Sequence, residues 1–228
     1  MSKIELAVFD MAGTTIDEDN VVYKTVQKVI NDKGFDVSLE QVLEYGAGKE
    51  KLQAIKDVLT ACTEAKNITE IAESAFANFK TALKQAYEEL DVKTFAGVKE
   101  LMESLRAEKI FVVLNTGYDK KTATSLLAKL DWKVGEDMDG LVTADDVING
   151  RPHPDMIQKA MDICGIKDSS KVLKAGDSTI DIEEGKNANC GLTIGVLSGA
   201  QTEAQLKVAQ PDYILNSLAE LKGVLLPA

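Results

Sequence analysis

Three places in the 228-residue chain gather acids, hydroxyls and glycines in patterns that can do chemistry. An apolar, β-prone run from Ile4 to Phe9 delivers Asp10 and continues at once as Met11-Ala12-Gly13-Thr14-Thr15. A second apolar run ends in Asn115-Thr116-Gly117-Tyr118, and a third in Gly176-Asp177-Ser178-Thr179-Ile180-Asp181. Between the last two lies Gly150-Arg151-Pro152-His153-Pro154. Groups delivered by the C-terminal ends of strands stand where open α/β sheets bind ligands. A carboxylate there can attack as a nucleophile, hold a hard cation, or cap the turn that follows.

The elements that position these groups follow from periodicity. Val22, Val26, Val29 and Ile30 recur at helical spacing, Ser38 with Gln41 forms a capping-box pattern, and Leu52, Ile55 and Leu59 share a face. A long apolar stripe from Ile68 to Leu90 follows Asn67, an expected N-cap. From Asp17 to about Lys93 no strand is expected. Beyond Thr94 the pattern alternates, with helices expected over 98–109, 120–130, 154–164 and 182–189 and strands over 110–114, 141–143, 171–175, 192–197 and 213–215. The sequence therefore predicts an α/β fold. A doubly wound, Rossmann-like parallel sheet forms the core (1–16 and 95–228), with a helical cap domain inserted after the first strand (17–94).

Composition narrows the function classes. The formal charge of −11 provides no basic face for a nucleic-acid backbone, so no nucleic acid is expected as partner. No apolar run approaches the roughly 20 residues that cross a bilayer, which predicts a soluble protein with no membrane partner. With no secretory pattern at the N-terminus, a cytoplasmic location is expected. Cys62, Cys164 and Cys190 are odd in number and far apart, so they read as buried thiols, not as disulfides or zinc ligands.

Taken together, the order and spacing of the four motifs resemble the haloacid dehalogenase superfamily of phosphoryl-transfer hydrolases. Asp10-Met11-Ala12-Gly13-Thr14-Thr15, Thr116-Gly117-Tyr118, Gly150-Arg151-Pro152 and Glu184-Gly185-Lys186-Asn187-Ala188 are more specifically similar to its phosphonatase branch. The resemblance implies that Asp10 attacks phosphorus to form an aspartyl-phosphate. It implies Mg²⁺ as cofactor, held by Asp10, the Ala12 carbonyl and Asp177, with Asp181 behind them. Like charges about 4 Å apart repel by about 4 kcal/mol near a protein surface, so clustered acids require such a cation. Thr116 and the N–H groups of the helix starting near Lys120 would hold a phosphoryl oxygen. Arg151 stands where other members carry Lys and can hold Asp10 and a phosphoryl oxygen at once. Gly13, Thr14, Gly117 and Tyr118 would line the substrate. His153, between two prolines, reads as part of a helix-entry turn and not as an acid or base.

The residue two positions after Asp10 separates the functional readings. Most phosphatases of the superfamily carry a second Asp there, and this chain has Ala12, which withholds a general acid worth a factor of about 10² to 10⁴. Phosphonatases avoid the need by forming a Schiff base between a cap lysine and phosphonoacetaldehyde. Lys49 keeps the branch's G-x-x-K spacing from Gly46, while Lys51 aligns better with the following helix, and either could form the imine. The branch's Met before that glycine is Tyr45 here. The first expectation is therefore a Mg²⁺-dependent, phosphonatase-like hydrolase of a small phosphonate or phosphate monoester. P–C cleavage by a lysine imine is the narrower alternative, and a non-turning-over phosphate-binding regulator the other. The resemblance also implies a homodimer through the helices of the insertion.

Overall fold

The computed structural model describes residues 3–47, 49 and 51–225. The opening strand β1 (Leu6–Asp10) is followed by a two-residue strand β2 (Ile16–Asp17) and four helices, α1 (Val21–Asn31), α2 (Leu39–Gly46), α3 (Lys51–Cys62) and α4 (Ile68–Glu89). After β3 (Lys93–Thr94) come α5 (Val98–Ala107), β4 (Phe111–Asn115), α6 (Lys120–Lys129), β5 (Gly140–Val142), α7 (Asp155–Cys164), β6 (Val172–Gly176), α8 (Thr179–Asn187), β7 (Leu192–Val196), α9 (Glu203–Val208), β8 (Tyr213–Leu215) and α10 (Leu221–Leu225). The α/β class is as expected. Six strands form one parallel sheet in the order β5-β4-β1-β6-β7-β8, with β1 between β4 and β6. The connections leave β1 toward β5 on one side and toward β8 on the other, so the switch in direction falls at the end of β1, beside Asp10.

The chain divides into two compact units, Met1–Asp17 with Val92–Ala228, and Glu18–Asp91. In the first, period-two alternation sorts the central strands. Leu6, Val8, Val113, Val142 and Val172 pack on Met156, Ile157 and Ala160 of α7 and on Ala188. The same alternation places Asn115 and Lys174 on that face, in line with Val113 and Val172. The second unit is all-helical. Val26, Val29 and Ile30 of α1 meet Ile55, Val58 and Leu59 of α3 and Ala72, Ala75 and Phe79 of α4. Ser38 and Gln41 form the expected capping box.

Several local expectations are corrected. Asn67 precedes α4 but its side chain makes no capping bond. Strands do occur at both ends of the insertion: Ile16 pairs with Thr94 and Asp17 with Lys93, an antiparallel ribbon closed across 75 intervening positions by tertiary contact and too short to show a period. α8 begins three residues early, at Thr179, because the N–H of Thr179 is held by Gln201 Oε1 at 2.7 Å. The three cysteines are free thiols, partly and not fully buried. Among the described residues no helix is long and apolar enough to cross a membrane.

Candidate active site

The turn after β1 wraps around one carbonyl. The Met11 oxygen accepts the N–H groups of Thr15 and Ile16 at 2.9 and 2.8 Å, while Thr15 Oγ1 donates to the Asp10 carbonyl at 2.9 Å. Gly13 closes the turn at φ 73, and a Cβ there would stand 2.5 Å from Asp177 Oδ2. Thr14 is fully buried, and its hydroxyl has no hydrogen-bond partner among the described residues.

Asp10, Asp177 and Asp181 each offer a carboxylate oxygen within 4.8 Å of the others. The side chain of Arg151, 15% exposed, bridges two of them, with Nη2 3.0 Å from Asp10 Oδ1 and Nη1 on Asp181 Oδ1. Behind Asp181 lies a second cation. Lys174 Nζ, fully buried, is 3.0 Å from Asp181 Oδ1, 3.1 Å from Glu184 Oε2 and 2.6 Å from Asn115 Oδ1. The amide of Asn115 returns hydrogen bonds to both Glu184 oxygens, at 2.9 and 3.0 Å. With every acid ionised, four carboxylates against two cations leave two negative charges in a buried cluster, which one divalent ion would balance. Hard oxygen donors at this spacing suit Mg²⁺.

The electrostatics agree. Burial, with Asp10 and Asp181 adding repulsion, pushes Asp177 up to about 8 against the pull of the Ala200 N–H. Burial also raises Asp10 to about 6, although Arg151 opposes it. At Asp181 burial is outweighed by Lys174 and Arg151, which hold it at about 2. Asp181 is thus spent on protein cations and on the Ser178 hydroxyl (2.6 Å), and not on capping α8.

A segment absent from the sequence reading completes the site. Ser198 Oγ donates to the Gly13 carbonyl at 2.7 Å, and the Ala200 N–H donates to Asp177 Oδ2 at 2.7 Å. Gly199 lies between them, where a Cβ would stand 2.0 Å from that oxygen. Gly199→Ala is expected to push Asp177 aside, weakening Mg²⁺ binding by calorimetry by about tenfold or more. The overpacking should lower stability by about 1–3 kcal/mol, read as a fall in Tm.

The remaining expected residues have the following surroundings. Thr116 is buried, and its Oγ1 already accepts the Tyr118 N–H at 3.2 Å. Gly117 is exposed beside Arg151, its position for a Cβ 3.6 Å from Nη2. The α6 N-terminus is partly occupied by acids of the chain itself. Asp119 accepts the Thr122 N–H at 2.8 Å and Asp145 the Lys120 N–H at 2.9 Å, so acids take two of the first-turn donors. His153 is exposed in the turn before α7. In the helical unit, Lys49 Nζ is paired with Asp57, and Lys51 Nζ donates to the Lys49 carbonyl at 2.7 Å and lies 5.3 Å from the centre of the Tyr23 ring.

A family model described as haloacid dehalogenase-like hydrolase matches residues 7–194. The chain belongs to that family. It is a hydrolase of the haloacid dehalogenase superfamily, of phosphatase or phosphonatase-like type. Its sequence is similar to a phosphonoacetaldehyde hydrolase of Bacillus cereus, 31% identical over 87% of this chain and 77% of the relative. It is also similar to one of Latilactobacillus sakei, 26% identical over 99% and 96%. Its fold matches a phosphonoacetaldehyde hydrolase-like protein of Oleispira antarctica with a TM-score of 0.76, at 23% identity over 98% and 92% of the two chains. Lys174 and the Ser198–Ala200 segment lie outside the sequence motifs, and Asn115 and Glu184 lie within them but carried no assigned role. One signal was available for Lys174: a charge inside the otherwise apolar Val172–Gly176 run demands buried partners.

Proposed function

We propose that the protein is a Mg²⁺-dependent hydrolase that uses Asp10 covalently on a small phosphonate or phosphate monoester. The observation that carries this reading is the buried cluster itself: a carboxylate held by Arg151 at 3.0 Å, in a site whose ionised acids exceed its cations by two charges. One oxygen of Asp10 forms a bond to phosphorus as the bond to the leaving group breaks, and the electron pair departs with that group. Water then attacks the aspartyl-phosphate, releasing phosphate and restoring the carboxylate. The guanidinium holds Asp10 in place and offers a second N–H to an equatorial phosphoryl oxygen. Asp10, the Ala12 carbonyl and Asp177 would hold the metal, which when bound neutralises charge developing on the phosphoryl group. With Ala12 in place of an acid, substrates whose leaving group needs little protonation are favoured.

A second reading, P–C cleavage through an imine, is favoured by the names of the curated relatives. It requires Lys49 or Lys51 to condense with an aldehyde, and Lys49 would first have to leave its ion pair with Asp57. The test is a phosphate-release screen with Mg²⁺ over small phosphonates and phosphate esters, with a parallel sample of phosphonoacetaldehyde and borohydride. Release from esters with no adduct on either lysine is the expected result. A borohydride-trapped adduct on Lys49 or Lys51 would move the assignment to the imine reaction, and no Mg²⁺-dependent release from any compound would leave a phosphate-binding regulator. A homodimer through the insertion helices and a cytoplasmic location belong to the same proposal.

A further inference from the structure

We propose that Lys174, locked by Glu184 and Asn115, is a positioning residue that fixes Asp181 so that Arg151 lies correctly on Asp10. This rests on the phosphoryl-transfer reading above. Four charges alternate along one line: Lys174 to Asp181, Asp181 to Arg151, Arg151 to Asp10. The two cations share the same Asp181 oxygen, Oδ1, while the Ser178 hydroxyl occupies Oδ2. Asp181 therefore has no freedom to rotate without breaking a charged contact. Nor does Lys174. Each contact to its ammonium is a distinct acceptor, the side chain is fully buried, and Glu184 is itself clamped through both oxygens by Asn115.

The backbone is shaped around this arrangement. Gly185 lets α8 approach β6 and β7, since a Cβ there would stand 2.9 Å from Lys174 Cβ and 2.8 Å from Thr193 Cγ2. Gly176 does the same for Asp181, whose Cγ would be 2.1 Å from an added Cβ. A lysine kept merely to balance charge would need none of this constraint. A guanidinium is planar and directional, so a small rotation of its anchoring carboxylate shifts its N–H groups off both Asp10 and an incoming phosphoryl oxygen.

The experiment uses orthovanadate as the phosphoryl mimic and calorimetry in saturating Mg²⁺, with Mg²⁺ binding measured alone. Lys174→Met leaves the cluster with three negative charges, so Mg²⁺ should bind at least as tightly as to the wild type while vanadate binds about tenfold or more weakly. That single variant leaves buried acids uncompensated and is the one at risk of not folding. The double variant Lys174→Met with Glu184→Gln restores the charge balance and keeps the volumes close. It should recover Tm, keep Mg²⁺ affinity within about threefold, and still bind vanadate about tenfold more weakly than the wild type. Vanadate affinity within about twofold of the wild type in the double variant would reduce Lys174 to charge balance and overturn the proposal. So would a parallel fall of Mg²⁺ and vanadate affinity. Wild-type protein that binds Mg²⁺ but no vanadate would sink the phosphoryl-transfer reading itself, before any variant is made, and the positioning role with it.

Discussion

Asp10→Asn is expected to abolish phosphate release, by on the order of 10⁴-fold or more, because removing a covalent nucleophile removes the step and not merely a contact. The substitution is close in shape, and the loss should not come from unfolding. Burial already holds the Asp10 carboxyl at about 6, so its ionised form at neutral pH is one the folded protein tolerates at a cost. Asn removes that cost while Arg151 keeps Asp181 as its partner. Tm should therefore stay level or rise as kcat vanishes, read by thermal unfolding beside a phosphate assay. Turnover within about tenfold of the wild type would assign the attack to another group.

The second large effect is a linkage between protons and Mg²⁺. In the metal-free protein, Asp177 is raised to about 8 and Asp10 to about 6, both above the ordinary carboxylate value. A raised carboxyl binds its proton more tightly folded than unfolded. Its contribution to stability is complete below the ordinary value and is lost as pH rises, through about 6 for Asp10 and about 8 for Asp177. Asp181 has the opposite sign: held at about 2, it adds stability above the ordinary value that is lost only as pH falls through about 2. Metal-free protein should thus become less stable between about pH 4 and 8 through these two groups.

Magnesium must displace the Asp177 proton, so its affinity should weaken about tenfold for each pH unit below 8, and more steeply below 6. Calorimetry from pH 6 to 8, in buffers of different ionisation enthalpy, should show both this slope and the release of close to one proton at pH 7. An affinity that stays flat across that range would show that Asp177 and Asp10 do not hold the ion.

How much of this was legible in advance depends on distance along the chain. Asp10 with its Ala12-Gly13-Thr14-Thr15 turn, Thr116-Gly117-Tyr118 and the Asp177-to-Asp181 run are local motifs, each within six residues, and each lies at a strand end that apolar runs and turn residues mark. The α/β class followed from the same alternation of strand and helix patterns. Errors collected where a feature is made by contact. The β2–β3 ribbon closes across the whole insertion, the α6 N-terminus is capped by Asp145 from 25 residues away, and α8 starts where Gln201 reaches back.

The sequence alone determined which groups are present, and that the first motif carries a carboxylate without a companion acid. Local backbone preference and hydrophobic period suffice for that, because both act over a few residues. Only the tertiary structure decided which groups meet. Lys174 and Asn115 are 59 positions apart, Asn115 and Glu184 are 69, and Ser198 lies 185 beyond Gly13. Those partners are chosen by sheet order and by the approach of α8 to the strands, and buried charge makes the choice strict, since a charge without its partner in the interior costs several kcal/mol.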